Sequence, residues 1–225
     1  MPSKDTEASS NGRTADFGSA YEGSNPSASN KPVAGRAANQ RAELKPLPMP
    51  ARLLLVALGP VPKGLLPEIG AALLGAFSAP SMLGAPQVRP EHAFNKDRNQ
   101  YHSTAVLRRL ELLRGKQRQE PVLGVVDLDL FIPDQPFVFG EADREARTAL
   151  LSVYRLKATA DGRAVAPERL LHRARLEAIH EVGHLLGLSH CADFRCAMFL
   201  SHTAADADRK GDGLCGQCRG AIGQP

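Results

Sequence analysis

The sequence predicts one mixed α/β (α+β) domain, in which a twisted sheet packs against helices and a loop-rich segment follows. Two observations support this prediction. Short apolar runs alternate with helical patterns between residues 51 and 186, as is typical of layered α/β proteins. All four cysteines come after residue 190, in a stretch with little apolar periodicity.

The apolar runs and turn residues place the elements in order. The first run ends at Gly59-Pro60, which indicates a buried strand followed by a turn. Pro167 is a favourable first residue for the longest helix. Strands are expected at residues 52–58, 122–130, 137–139 (an edge strand) and 150–156, and helices at 64–77, 100–114 and from about 167 to 186.

Residues 1–48 have a different composition. Ser, Gly, Asn and Ala dominate and large apolar side chains are nearly absent, so we expect disorder. Asn11–Ala20 back-translates to AAT GGT AGA ACT GCG GAT TTT GGT TCC GC, which resembles the D-arm and anticodon arm of a glutamine tRNA gene. Glu22–Pro26 back-translates to GAG GGT TCG AAT CCC, the T-loop signature. We hypothesise a start codon assigned too early, with the true start at Met49 and the domain at 49–225; an ordinary Ser/Gly-rich tail is the alternative.

A histidine-rich string, HEVGHLLGLSH, begins at His180. Residues four apart share a helix face, so His180 and His184 can direct two imidazoles at one metal ion. Glu181 can then reach a water on that metal as a general base. Gly187 lies where helices commonly end in a left-handed residue, and the turn allows His190 to supply a third nitrogen. Three protein ligands with one open position are typical of a catalytic zinc site.

The alternative is a helix that carries these polar residues without binding a metal ion. Five such fixed positions would recur by chance with a probability on the order of 10⁻⁵ in a chain of this length. A catalytic or formerly catalytic zinc site is therefore favoured.

The cysteines form two closely spaced pairs. Cys191 and Cys196 make a CxxxxC, and Cys215 and Cys218 make a CxxC. Both spacings are typical of zinc knuckles, so four thiolates could hold a structural zinc. Two disulfides are the alternative, although a CxxC bridge is geometrically strained. Met198 lies between the pairs, where it could form a methionine turn beneath the zinc or simply pack in the core.

The combined pattern HExxHxxGxxHCxxxxCxM, followed by Asp208-Arg209-Lys210 and CxxC, resembles the archaemetzincins, a branch of the metzincin zinc peptidases. Pro121–Leu130 and Phe137–Ala142 are similar to that family's central-strand and edge-strand blocks, and Ala93–Tyr101 to its lead into a helix. The resemblance extends over residues 51 to 218. It implies a metzincin-like twisted sheet, an active-site helix and a zinc-stabilised C-terminal subdomain.

The resemblance also implies roles for individual residues. His180, His184 and His190 would hold a catalytic zinc, and Glu181 would be the base. Met198 would be the Met-turn residue, and the four cysteines would hold a second zinc. The substrate-binding edge would comprise Phe137, Val138, Phe139 and Gly140, with Gly140 leaving space near the metal; an FVF run could equally belong to the core.

The function expected from this pattern is a zinc metallopeptidase of the metzincin type that acts on peptides or proteins. A non-catalytic zinc module that binds a peptide or protein is one alternative. A redox-sensing or metal-buffering protein that uses the CxxC is another, although zinc-bound thiolates are largely protected.

Charge and hydropathy exclude some partners. The net charge of +4 is modest and the basic residues are scattered, so the basic cluster at residues 108–118 indicates a solvated face rather than a nucleic-acid site. No run reaches the eighteen or so apolar residues that a membrane span requires. The first apolar run also lies too far along the chain for a signal peptide. We expect a cytoplasmic protein that is a monomer.

The tRNA hypothesis makes a direct prediction. Mass spectrometry of the protein isolated from its source cell should find an N-terminus at Met49 and no peptide from residues 11–29. Detection of such peptides would refute it.

Overall fold

The computed structural model describes residues 48–114 and 120–224. We predicted disorder for residues 1–48 and a translated tRNA gene within them. Except for Pro48, these residues lie outside the described part of the chain. Both stay predictions.

A five-stranded sheet forms the centre of the domain. Its strand order is β2-β1-β5-β8-β7. The first four strands run parallel, and β7 joins β8 in the antiparallel direction at one edge. The strands are β1 (Leu53–Ala57), β2 (Ser81–Leu83), β5 (Val122–Val126), β7 (Gly140–Asp143) and β8 (Thr148–Ser152).

A small second sheet of three short strands has the order β3-β4-β6. It contains β3 (Phe94–Asn95), β4 (Gln100–His102) and β6 (Leu130–Phe131). Val138 reaches this sheet through an antiparallel bridge to Leu130. The segment from β6 to β7 therefore passes from the small sheet to the edge of the large one.

Helices cover both faces of the large sheet, as expected for parallel strands. Alternate residues of β1 point to opposite faces: Leu53 and Leu55 belong to one buried cluster, and Leu54 and Val56 to the other. The first cluster includes α1 (Leu65–Phe77) and α3 (Pro167–Leu185), and the second includes α2 (Ser103–Arg114). None of the helices in the described ranges is long and apolar enough to cross a membrane.

The C-terminal part is mostly loop. It contains two short helices, α4 (Ala204–Ala207) and α5 (Gly216–Ala221), which the sequence did not predict. Thr203 and Asp206 form a capping box at the start of α4, which explains how four residues hold a helical turn. The predicted fold class is confirmed, with a mixed sheet, a long histidine-bearing helix and a loop-rich end.

The predicted edge strand at 137–139 is wrong in position. The edge strand of the large sheet begins at Gly140. Phe139 is a buried core residue, 7% exposed, and Phe137 packs edge-on against it with ring centroids 5.2 Å apart. The run has strand-like composition because Phe139 is buried and Phe137 packs against it, and its backbone links the two sheets.

Three other boundaries also differ. The predicted strand 122–130 is two strands in different sheets, because the chain turns where Asp127 and Asp129 pair with Lys157 and Arg155. The first three residues of the predicted helix 100–114 form β4, and the predicted strand 150–156 lies at 148–152. Strand β2 was not predicted, and its residues are partly or fully exposed.

A buried arginine ties α3 to the segment before the second cysteine pair. Arg173 is 1% exposed. Its Nε and Nη2 each lie 2.7 Å from an oxygen of Asp208, and its Nη1 donates to the carbonyls of Leu156 and Ala158. Hydrogen bonds from Arg173 hold the pKa of Asp208 below its ordinary value.

Asp208→Asn should therefore destabilise the fold in a pH-dependent way. Arg173 is buried and Asp208, whose side chain is 29% exposed, is its charged partner, so we expect the free energy of unfolding to fall by about 2 kcal/mol at pH 7. The folded pKa of Asp208 lies below the unfolded value of about 3.9, so the ion pair stabilises fully above that value. The difference between wild type and variant should shrink as pH falls through the folded pKa.

Denaturant unfolding between pH 7 and pH 3 measures this effect. Glu120→Gln is the matched control, because the Arg52–Glu120 pair is half-exposed on the arginine side and should contribute about 1 kcal/mol or less. Equal losses in both variants would contradict the anchoring role of Arg173.

Candidate active site

The final turns of α3 carry the histidine motif. Gly187 has a φ of 95°, and the Leu188 N–H donates to the Gly183 carbonyl at 2.9 Å while the Gly187 N–H donates to the His184 carbonyl at 3.0 Å. These two bonds form a Schellman motif, which satisfies the last carbonyls of the helix. The chain then turns, as the sequence predicted, and brings His190 back to the helix.

The structure brings the three histidines together. One ring nitrogen from each of His180, His184 and His190 lies within 4.8 Å of the others. The Nδ1 atoms of His180 and His184 lie 2.9 Å and 2.8 Å from the carbonyls of Ala197 and Leu188. A carbonyl only accepts, so both Nδ1 atoms carry the proton and both Nε2 atoms present a lone pair.

The Nε2 atoms of His180 and His184 lie 3.0 Å apart. Two acceptors this close repel unless a cation lies beside them. Histidine ligands in metal sites typically donate their other ring N–H to a carbonyl or carboxylate. The donor set and its tautomers therefore fit a metal such as zinc, which prefers neutral imidazole nitrogen.

Burial sets the protonation of the site. Desolvation lowers the pKa of His180 well below its ordinary value, and it also lowers the pKa values of His184 and His190. Desolvation raises the pKa of Glu181 well above its ordinary value, and the nearby carboxylates of Glu177 and Glu141 raise it further. The histidines are thus held neutral, and Glu181 is a stronger base than an exposed carboxylate.

Glu181 lies directly against the edge strand. A Cβ at Gly140 would lie 2.5 Å from Glu181 Oε1 and 2.5 Å from the Leu150 carbonyl oxygen. Any side chain at this position would displace the carboxylate. The sequence predicted that Gly140 leaves space at the site, and the space is taken by Glu181.

Met198 lies on the opposite side of the helix. It is fully buried, and a Cβ at Gly183 would overlap its sulfur. The Met198 carbonyl accepts a hydrogen bond from the Cys191 N–H at 2.9 Å, which closes the turn beneath the histidines.

A cleft of about 490 Å³ runs past the histidines. Its upper wall contains the predicted residues Phe137, Val138, Phe139 and Gly140, and its lower wall is formed by Leu200, Ser201 and His202. Strand β7 lies at the sheet edge and pairs only with β8 among the described strands. The cleft therefore has a free strand edge on one side and the histidines at its floor.

The four cysteines form a second cluster. Their sulfurs all lie within 4.8 Å of one another, and none of them forms a disulfide. Backbone N–H groups of Asp193 and Cys215 donate to the sulfurs of Cys191 and Cys196. Burial raises the pKa of the Cys196 and Cys218 thiols, whereas at Cys215 the effect of burial is outweighed by hydrogen bonds that lower its pKa. A cation would be needed to hold all four sulfurs as thiolates. The arrangement fits a tetrahedral zinc site better than two disulfides.

Three residues in the site were not predicted from the sequence. Glu177, Ser201 and Lys210 form a buried network beside His180. Glu177 precedes Glu181 by one helical turn, and this spacing could have indicated it. Lys210 belongs to the pattern that resembles the archaemetzincins, but its spacing gives no sign of a contact with the histidine site, because the contact depends on how the loop returns to α3.

Comparisons with known proteins identify the family of this chain. The model of peptidase family M54 matches residues 78–224. The archaemetzincin of Haloquadratum walsbyi is 32% identical over 167 residues, which cover 73% of this chain and 95% of that protein.

Two solved structures are also similar. A zinc-dependent peptidase from Methanocorpusculum labreanum has a TM-score of 0.69 and 28% identity, over 76% of this chain and 99% of that one. The archaemetzincin of Methanopyrus kandleri has a TM-score of 0.66 and 33% identity, over 76% and 93%. The resemblance seen in the sequence is confirmed. The chain belongs to peptidase family M54, the family of the archaemetzincins.

Proposed function

We propose that this chain is a zinc-dependent peptidase of the metzincin type. The observation that carries the proposal is the convergence of three neutral histidines beside the buried Glu181 carboxylate, on the floor of a cleft with a free strand edge. Family membership and the names of the relatives support the same activity.

Two zinc ions would be bound. His180, His184 and His190 would hold the first, and Cys191, Cys196, Cys215 and Cys218 would hold the second. Bound at the histidines, zinc would polarise the scissile carbonyl and generate a nucleophile from water at neutral pH. At the cysteines it would contribute folding energy to the loop-rich end.

Glu181 would act as the general base. Its raised pKa suits it to take a proton from the attacking water and then to give that proton to the leaving amine. Gly140 would keep the carboxylate in place by leaving it room, and Met198 would support the helix from below.

The substrate would bind as an extended peptide or protein segment along β7. A free strand edge offers unpaired N–H and C=O groups in register with such a segment. Phe137, Val138 and Phe139 would form the wall before the edge strand rather than the edge itself. A monomer in the cytoplasm, without nucleic-acid or membrane partners, stays our prediction.

A non-catalytic zinc module is the competing function. The peptidase and the non-catalytic module differ in whether the histidine-bound zinc keeps an open coordination position. A hydroxamate chelator should bind tightly only to a zinc that keeps this position.

The zinc content of residues 49–225 tests the metal assignment. We expect two zinc ions per chain. His184→Ala should reduce this to about one because it removes a ligand from the histidine set. Cys218→Ala should also remove about one, and should lower the melting temperature because the second metal contributes folding energy. Elemental analysis after gel filtration measures both, and a content of one zinc that His184→Ala does not change would contradict a histidine-bound zinc.

Glu181→Gln tests the base. Loss of a general base should lower kcat for a cleaved peptide by at least about 100-fold. The zinc content should stay at the wild-type value, because Glu181 is not proposed as a ligand. Turnover at the wild-type rate would refute the assignment.

Two further variants make this test specific. Gly140→Ala places a methyl group against both the Glu181 carboxylate and the Leu150 carbonyl oxygen. It should shift the carboxylate and the strand edge and so lower kcat while zinc content is retained. Gly75→Ala, in helix α1 with no atom near the new methyl group, is the matched control and should leave kcat unchanged.

A further inference from the structure

Lys210 is a buried lysine next to the histidine site. Its side chain is 0% exposed and that of Glu177 is 3% exposed. The ammonium nitrogen lies 3.1 Å from Glu177 Oε1 and 3.0 Å from the Ala197 carbonyl oxygen. Burial of an ammonium group costs several kcal/mol before pairing, so its presence requires a reason.

The Ala197 carbonyl is shared between two donors. It accepts from Lys210 at 3.0 Å and from the His180 Nδ1–H at 2.9 Å. A carbonyl oxygen has two lone pairs and can accept both bonds. Lys210 therefore holds the same oxygen that sets the tautomer and the ring orientation of His180.

Glu177 completes the network. Its Oε1 accepts from Lys210 and, at 2.8 Å, from the Ser201 hydroxyl. Its negative charge balances the ammonium, so the pair adds no net charge beside a divalent metal ion. The network thereby joins α3, the lower wall of the cleft and the segment that contains Lys210.

A purely structural role is the competing explanation. It accounts poorly for Lys210, because Asp208 already ties the same segment to α3 through two 2.7 Å bonds with Arg173. The feature that distinguishes Lys210 is its bond to the carbonyl that holds His180.

We propose that Lys210 is a positioning residue for the histidine metal site, an inference that rests on the proposed function. Its ammonium, balanced by Glu177, holds the Ala197 carbonyl so that His180 presents Nε2 to the metal. Groups that hydrogen-bond a metal-bound histidine typically change metal affinity 10–100-fold when they are removed, and Lys210 acts through the carbonyl that makes this bond to His180.

The test measures the zinc dissociation constant of the histidine site in the full chain, by competition with a chromophoric chelator. Lys210→Met should weaken this site by about 10–100-fold. The direction of the change in zinc affinity distinguishes positioning from a simple charge effect. If only a nearby positive charge were lost, zinc would bind more tightly. Tighter or unchanged binding would overturn the inference.

Two further variants separate positioning from folding. Glu177→Met combined with Lys210→Met removes both charges, so it folds without an unpaired buried ion, and it should also bind zinc more weakly. Wild-type affinity in this double variant would overturn the inference. Asp208→Asn is the matched control: it breaks the neighbouring ion pair but removes no hydrogen bond to the Ala197 carbonyl, and its zinc affinity should stay within about twofold of wild type. A loss equal to that of Lys210→Met would assign the effect to folding and overturn the inference.

The wild-type measurement distinguishes the two proposals. Absence of zinc at the wild-type histidines would overturn the proposed function and this inference with it. Zinc bound equally well by wild type and Lys210→Met would overturn only the role of Lys210.

Discussion

The last turns of α3 are held between two contacts that leave no room for a side chain. On one side the edge strand approaches so closely at Gly140 that a Cβ there would touch Glu181. On the other side Met198 fills the space against Gly183. Interiors are packed too densely to absorb an added methyl group without a shift. The sheet edge and the turn beneath the helix therefore fix the position of Glu181 relative to the histidines.

The cysteine cluster and the histidine site share consecutive residues. Cys196 belongs to the cluster, the Ala197 carbonyl holds His180, and Met198 packs under the helix. The Ala197 N–H also donates to the Gly213 carbonyl at 2.8 Å, which links this stretch to the second cysteine pair. Order in the loop-rich end thus supports the position of His180, and a metal at the cysteines would stabilise this stretch of chain.

The features predicted correctly are those with a local cause. The bounds of α3 follow from Pro167 and Gly187, and the meeting of the histidines follows from helical spacing and one turn. The edge strand was predicted at residues 137–139, before its true start at Gly140. An aromatic run that packs in the core has the same composition whether it forms a strand or links two sheets. The position of Lys210 depends on how a long loop returns to the helix, and no spacing in the sequence encodes that return.

One physical cause accounts for opposite pKa shifts in the site. The packing that excludes water disfavours every charged form, so it lowers the pKa of His180 and raises the pKa of Glu181. Neutral histidines can bind a metal without first losing a proton. A more basic Glu181 can accept one from water. The packing around the last turns of α3 therefore acts on the ligands and on the base through one cause, the exclusion of water.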